Sequence, residues 1–245
     1  KLYMKDRPEA VEKFSITHGF NHLWLNRAWE RPHFILKIGG GVVIAHPENT
    51  VRGMPLDEKL GIGGSGYYIG GPAANAAVTV SHLGLKAAFA GYLGNDFFGQ
   101  RHLEEFSREA VNTDLIVRGD APTPLSAILV KPDGRRTVVN YKGATPPLPA
   151  DCIDLVGWHP QVILFDGHEP EVSLALMKAL NGRGISTVLD AGSVHRGTLK
   201  LLERVDYIVA SQKFGHEFTG RENPRQAASK LGERGAAVVI TLGES

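Results

Sequence analysis

The chain has 245 residues, 42% of them hydrophobic, a formal net charge of +1 at pH 7 and one cysteine, Cys152. That balance gives no basic face for nucleic acid, and a lone cysteine excludes a disulfide framework or a thiolate metal cluster. No apolar run approaches the roughly 20 residues of a membrane span, and the first 31 residues lack a signal peptide's apolar core and cleavage site, so a soluble cytoplasmic protein is expected.

Residues 1–33 form an N-terminal extension of unassigned role, with apolar residues such as Val11, Phe14, Phe20 and Leu25 scattered among charges; one or two helices are the expectation. Phe34–Ile38 is a β-type run that meets Gly39-Gly40-Gly41, and Val42–Ala45 continues it. Residues 49–69 alternate turn residues with short β-type pieces. Gly61-Ile62-Gly63-Gly64-Ser65-Gly66 fits the dinucleotide pattern in form only. No apolar strand precedes it and Tyr67-Tyr68-Ile69 after it reads as strand, so a nicotinamide site is rejected.

Gly70-Gly71-Pro72-Ala73-Ala74-Asn75 is the stretch around which the rest is organised. Paired glycines allow a sharp turn and close approach of a ligand, and Pro72 presets the first helical turn. The small apolar run to Leu83 predicts a helix packed tightly on a sheet. Its free N–H groups and dipole favour oxygen-rich or anionic ligands, and Asn75 adds a donor and an acceptor. From spacing alone, a plain turn before a buried helix is equally open.

Ala87–Ala90 reads as a buried strand, followed by a turn at Gly94-Asn95-Asp96. Asp96 is placed as N-cap of a helix through Glu109 with Leu103 and Phe106 inward. Leu125–Val130 and Arg136–Tyr141 flank Pro132-Asp133-Gly134, a hairpin signal, and Thr145–Pro149 marks a loop. Strands then alternate with helices: Val162–Phe165, a helix opened by Pro170, Thr187–Leu189, a helix near Gly197–Glu203, Tyr207–Ala210, a helix capped by Asn223, and Ala237–Thr241. Such alternation predicts a mainly parallel sheet with ligands at the strands' carboxyl ends. Those ends carry Asp166-Gly167-His168-Glu169, Asp190-Ala191-Gly192-Ser193, Ser211-Gln212-Lys213 and Thr241-Leu242-Gly243-Glu244. Each alone suits an ordinary capped loop; four on one edge point to a polar small-molecule site.

The segment Gly70-Gly71-Pro72-Ala73-Ala74-Asn75, with Ala77, Gly84 and Gly91-Tyr92-Leu93-Gly94-Asn95-Asp96-Phe97-Phe98-Gly99, resembles the first signature of the ribokinase (PfkB) family of carbohydrate kinases. The resemblance implies a ribokinase-like α/β domain over residues 34–245, with a mainly parallel sheet, helices on both faces, and a small β lid from about 45–69 and 122–142. It implies an ATP-dependent, magnesium-requiring sugar kinase that transfers the γ-phosphate to a sugar hydroxyl, and a homodimer through the lid strands. Sugar contacts would come from Gly70, Gly71 and Asn75, with Asp166 and His168 where these kinases place polar groups near the sugar. His46 falls where the family has a sugar-gripping Asp; a solvated loop residue remains the other reading of it. Ser211, Thr241 and Gly243 would face the nucleotide. Ser211-Gln212-Lys213-Phe214 stands in place of the family's Asn-x-x-Glu, as in the ketohexokinase-like branch. The second signature, Asp-Thr-x-Gly-Ala-Gly-Asp, does not occur in these residues, so the expectation is a C-terminally truncated and inactive chain whose catalytic Asp lies beyond Ser245. No protein metal ligand is assigned. A nucleoside kinase of the same family and a non-catalytic binding or regulatory homologue are the alternatives.

Overall fold

The computed structural model describes residues 2–3, 34–38, 41–45, 67–130, 136–141 and 144–243. The chain divides between Pro146 and Pro147, inside the expected Thr145–Pro149 loop, into two compact units; the later one also takes in the short strand β1 (Leu2–Tyr3). Beyond β1, the helices expected in residues 1–33 lie outside the described residues, as do His46, the segment 49–66 and the Pro132-Asp133-Gly134 turn.

In the earlier unit, β2 (Phe34–Ile38) and β3 (Gly41–Ala45) are two strands rather than one continuing run. They pair antiparallel, Phe34 opposite Ala45 and Ile38 opposite Gly41. Glycines in the middle of an apolar run favour a reversal over an unbroken strand. Next come β4 (Tyr67–Ile69), α1 (Pro72–His82), β5 (Ala87–Ala88), β6 (Gly91–Gly94), α2 (Phe97–Arg108), β7 (Val111–Asn112), β8 (Ile116–Gly119), β9 (Leu125–Val130) and β10 (Arg136–Tyr141). One antiparallel sheet has the order β10-β9-β2-β3-β4, and β5 with β7 and β6 with β8 form two parallel pairs. The expected hairpin forms, with Val130 opposite Arg136. Phe106 of α2 is fully buried in one cluster with Ala74 and Ala77 of α1 and Val111 of β7, and its ring stands 4.8 Å from that of Phe89.

The later unit continues with β11 (Val162–Phe165), α3 (Pro170–Leu180), β12 (Ser186–Ala191), α4 (Arg196–Leu201), β13 (Tyr207–Ser211), α5 (Gln212–Thr219), α6 (Pro224–Leu231) and β14 (Ala237–Thr241). Strands β11 to β14 are parallel neighbours in chain order, and β1 pairs antiparallel with β14. A sheet that grows in one direction through right-handed crossovers carries its connecting helices on one face. Accordingly α3 to α6 all feed one cluster with Phe165, Leu189, Ile208, Ala210 and Ile240 of the strands, around Leu201 and Phe214. Because side chains alternate, Asp190, Val209 and Val239, level with one another, project from the opposite face.

Candidate functional site

In the earlier unit, Gly71 caps α1 at φ 115°, ψ 149°, a conformation that a Cβ would resist. Pro72 takes the first helical position, and the Gly71 carbonyl accepts the Asn75 amide at 2.9 Å. Gly70 is buried and Asn75 is exposed. Among the described residues no side chain caps this helix. The first-turn N–H groups that remain are those of Ala73 and Ala74, uncapped by any described side chain, with the exposed Asn75 side chain one turn in.

The next helix is built differently. Asp96 caps α2 by accepting the Gly99 amide at 2.8 Å, as the sequence indicates, and also accepts the Thr123 amide at 2.8 Å and its hydroxyl at 2.7 Å. Burial pushes the Asp96 carboxyl up, but the hydrogen bonds from Thr123 and Gly99 and the nearby Arg118 charge prevail and hold it below the usual range. The glycines here are steric requirements: a Cβ on Gly99 would lie 2.1 Å from the Gly94 carbonyl oxygen, and one on Gly94 would lie 2.4 Å from that of Ala121.

In the later unit, Asp166 follows β11 and accepts the His168 amide at 3.0 Å. Gly167 between them has φ +76° and lies so close to α4 that a Cβ on Gly197 would be 1.7 Å from the Gly167 oxygen. His168 is exposed and stacks on His195, ring centres 5.5 Å apart and 13° from parallel. His195 Nδ1 accepts the Gly197 amide at 3.2 Å, capping α4. Phe165 is level with Leu189, so Asp166 comes level with Asp190 on the neighbouring strand. Burial raises the Asp190 carboxyl, Asp166 raises it further, and His168 partly offsets both.

Ser211 is level with Thr241, the two ending β13 and β14. The Ser211 hydroxyl accepts the Phe214 amide at 2.9 Å and donates to the Gly192 carbonyl at 2.9 Å, so it already has a structural task as a cap and a tie between loops. Thr241 is exposed and its hydroxyl donates to the Ala210 carbonyl at 3.4 Å, and Gly243 sits at φ +66° with no described atom within 4 Å of where a Cβ would point. Asp166, His168, Ser211, Thr241 and Gly243 thus share the carboxyl edge of one sheet, while Gly70, Gly71 and Asn75 belong to the other unit. Asp190 and His195 were not singled out for direct contact by sequence. Asp190 carried a signal, its strand-end position; His195 carried none. Among the described residues no group of three or more His, Cys, Asp or Glu is placed to hold a metal, and no helix is long and apolar enough to cross a membrane.

Residues 57–245 match the family described as pfkB family carbohydrate kinase. A ribokinase from Mus musculus is 27% identical over 198 residues, which cover 75% of this chain and 61% of that protein. The chain spans less than two thirds of the length of the curated relatives it matches. A ribokinase structure from Thermotoga maritima superposes with a TM-score of 0.68 at 22% identity, covering 87% of this chain and 70% of that one. An adenosine kinase structure from Sinorhizobium meliloti gives 0.66 at 26% identity, covering 75% and 61%. These neighbours establish the ribokinase-like α/β fold. With more than three quarters of its length inside the family match, the chain belongs to the pfkB family of carbohydrate kinases.

Proposed function

We propose that the protein is an ATP-dependent kinase acting on a hydroxyl group of a sugar. The observation that carries this reading is the start of α1, where Gly71 turns the backbone, no described side chain occupies the helix amides, and Asn75 is exposed beside them. Family membership supports it, as do relatives named ribokinase and fructokinase. On the earlier unit, Gly70, Gly71 and Asn75 are assigned to sugar hydroxyls, together with His46. On the later unit, Asp166 and His168 are assigned as further sugar-side groups, and Ser211, Thr241 and Gly243 as nucleotide-side groups. With no ready-made protein cage for a cation among the described residues, Mg2+ would be held chiefly by the nucleotide's phosphates.

In the proposed reaction a sugar hydroxyl attacks the γ-phosphorus, ADP leaves, and the hydroxyl proton passes to a base that is assigned to none of the described residues. The chain's own contribution is positioning and stabilisation of charge, which is most of what phosphoryl transfer requires. We also assign residues 1–33 to an extension outside the kinase domain, which fits a family match that starts at residue 57. Strands within 45–69 and 122–142 form the lid in this reading, and the location is cytoplasmic. The edge strand β10 exposes Val138, Val139 and Tyr141, which favours a homodimer through it; size-exclusion chromatography with light scattering tests that.

The adenosine kinase neighbour supports a second reading, a nucleoside as the hydroxyl donor. Calorimetric titration of the chain with ATP and with a panel of aldoses, ketoses and nucleosides separates them. Saturable heat with ATP and a sugar is expected; heat with nucleosides alone would favour the second reading, and none with either would reject both.

A further inference from the structure

One carboxylate ties two pieces of the earlier unit together. Asp96 receives one amide from its own helix, that of Gly99, and two donors from Thr123, 27 residues further along the chain. The Thr123 hydroxyl in turn accepts the Gly94 amide at 2.9 Å, and Arg118 donates to the Gly94 carbonyl at 2.7 Å. Thr123 is 2% exposed and stands two residues before β9. An N-cap on its own needs only the amides of its helix. Here the same carboxylate also fastens the root of a strand of the antiparallel sheet.

The clamp reaches the sugar-side residues through α2. That helix lies against β4, the strand that leads into Gly70-Gly71. Its Phe106 shares one buried cluster with Ala74 and Ala77 of α1, between which Asn75 lies in sequence, and both helices pack on β7. Close-packed contacts of this kind transmit a shift rather than absorb it.

We propose that Asp96 is a positioning residue for the sugar site: its grip on Thr123 and on the start of α2 sets the placement of Asn75 and couples it to β9. This rests on the reading of Gly71 and Asn75 as sugar-binding. By linkage, a ligand that orders the start of α1 tightens the clamp, and loosening the clamp weakens the ligand's hold.

The test uses the full chain carrying Asp96→Asn, Thr123→Val or Thr123→Ser. Asparagine replaces an acceptor oxygen by a donor that faces N–H groups; valine removes the hydroxyl at nearly constant shape; serine keeps it. Sugar affinity is measured by calorimetric titration, along with amide hydrogen exchange without ligand. Asp96→Asn and Thr123→Val are expected to weaken sugar binding about tenfold. Both are expected to speed exchange at residues 73–77 as well as at 96–100, and Thr123→Ser to stay near wild type in both readouts. Faster exchange confined to 96–100 and 123 would reduce Asp96 to a helix cap and overturn the proposal. If the wild type binds no sugar, the kinase reading falls, and exchange at 73–77 still decides the positioning role. Should Asp96→Asn fail to fold, the valine and serine pair at 123 gives the same decision.

Discussion

In the later unit, the polar candidates stand at the ends of parallel strands, and lateral register decides their neighbours: Asp166 beside Asp190, Ser211 beside Thr241. In the earlier unit they stand at the start of a helix, and a glycine conformation decides what is exposed: Gly71 at φ 115°, Asn75 one turn in. The first arrangement is set by backbone ladders and by loops pressed against one another. The second is set by the buried cluster behind α1, where Phe106 joins Ala74 and Ala77. The comparison teaches that a buried change should disturb each unit through its own core, whereas an exposed polar change should affect ligand binding alone.

The largest effect is expected from Phe214→Ala, since Phe214 is fully buried at the centre of the later unit's cluster. It should cost about 3–5 kcal/mol, and hydrogen exchange should show residues 162–241 destabilised while 72–119 stay protected. Equal loss in both regions would mean that the units unfold as one. Gly197→Ala comes next, because its Cβ would meet the Gly167 carbonyl rather than a movable side chain. A loss of about 3 kcal/mol is expected by urea denaturation, with α4 and the Asp166–His168 loop most affected.

Asn75→Ala should leave urea stability within about 0.5 kcal/mol of wild type, as suits an exposed residue. Sugar affinity should nonetheless fall by about tenfold or more through loss of ligand hydrogen bonds. Asp190→Asn has the smallest effect and a defined sign. Folding raises the Asp190 carboxyl, first through burial and then through Asp166, so its ionised form is disfavoured in the native state. Wild-type stability from this group is therefore present below the unfolded pKa of about 3.9 and lost as pH rises through the folded value. The variant should gain on the wild type between pH 4 and 8 in urea melts, and the gain should disappear below pH 4. The Asp96 carboxyl has the opposite sign, with stability present at neutral pH and lost as acid protonates it.

Much of this could be read from sequence where local chemistry and fold agree. The Gly-Gly-Pro start of α1, Asp96 before α2, Pro170 opening α3 and Asn223 capping α6 each carry their reason in the residue itself. The apolar runs of β11, β13 and β14 are equally plain. Strand β6 was hidden because glycine stands at both of its ends, and a glycine-bounded run of four reads as turn. Helix α5 was hidden because Ser211 is both the last residue of β13 and the cap of the helix, leaving no loop to announce the change. The company of Asp190 and His195 depends on tertiary register, which no single stretch encodes.

The central claim is that the uncapped amides at the start of α1, with Asn75, hold a sugar. Calorimetric titration of the full chain with the sugar that it binds most tightly, wild type against Asn75→Ala, tests it most directly. The account predicts saturable heat in the wild type and at least a tenfold weaker isotherm in the folded variant. Equal affinity in the two proteins would contradict it.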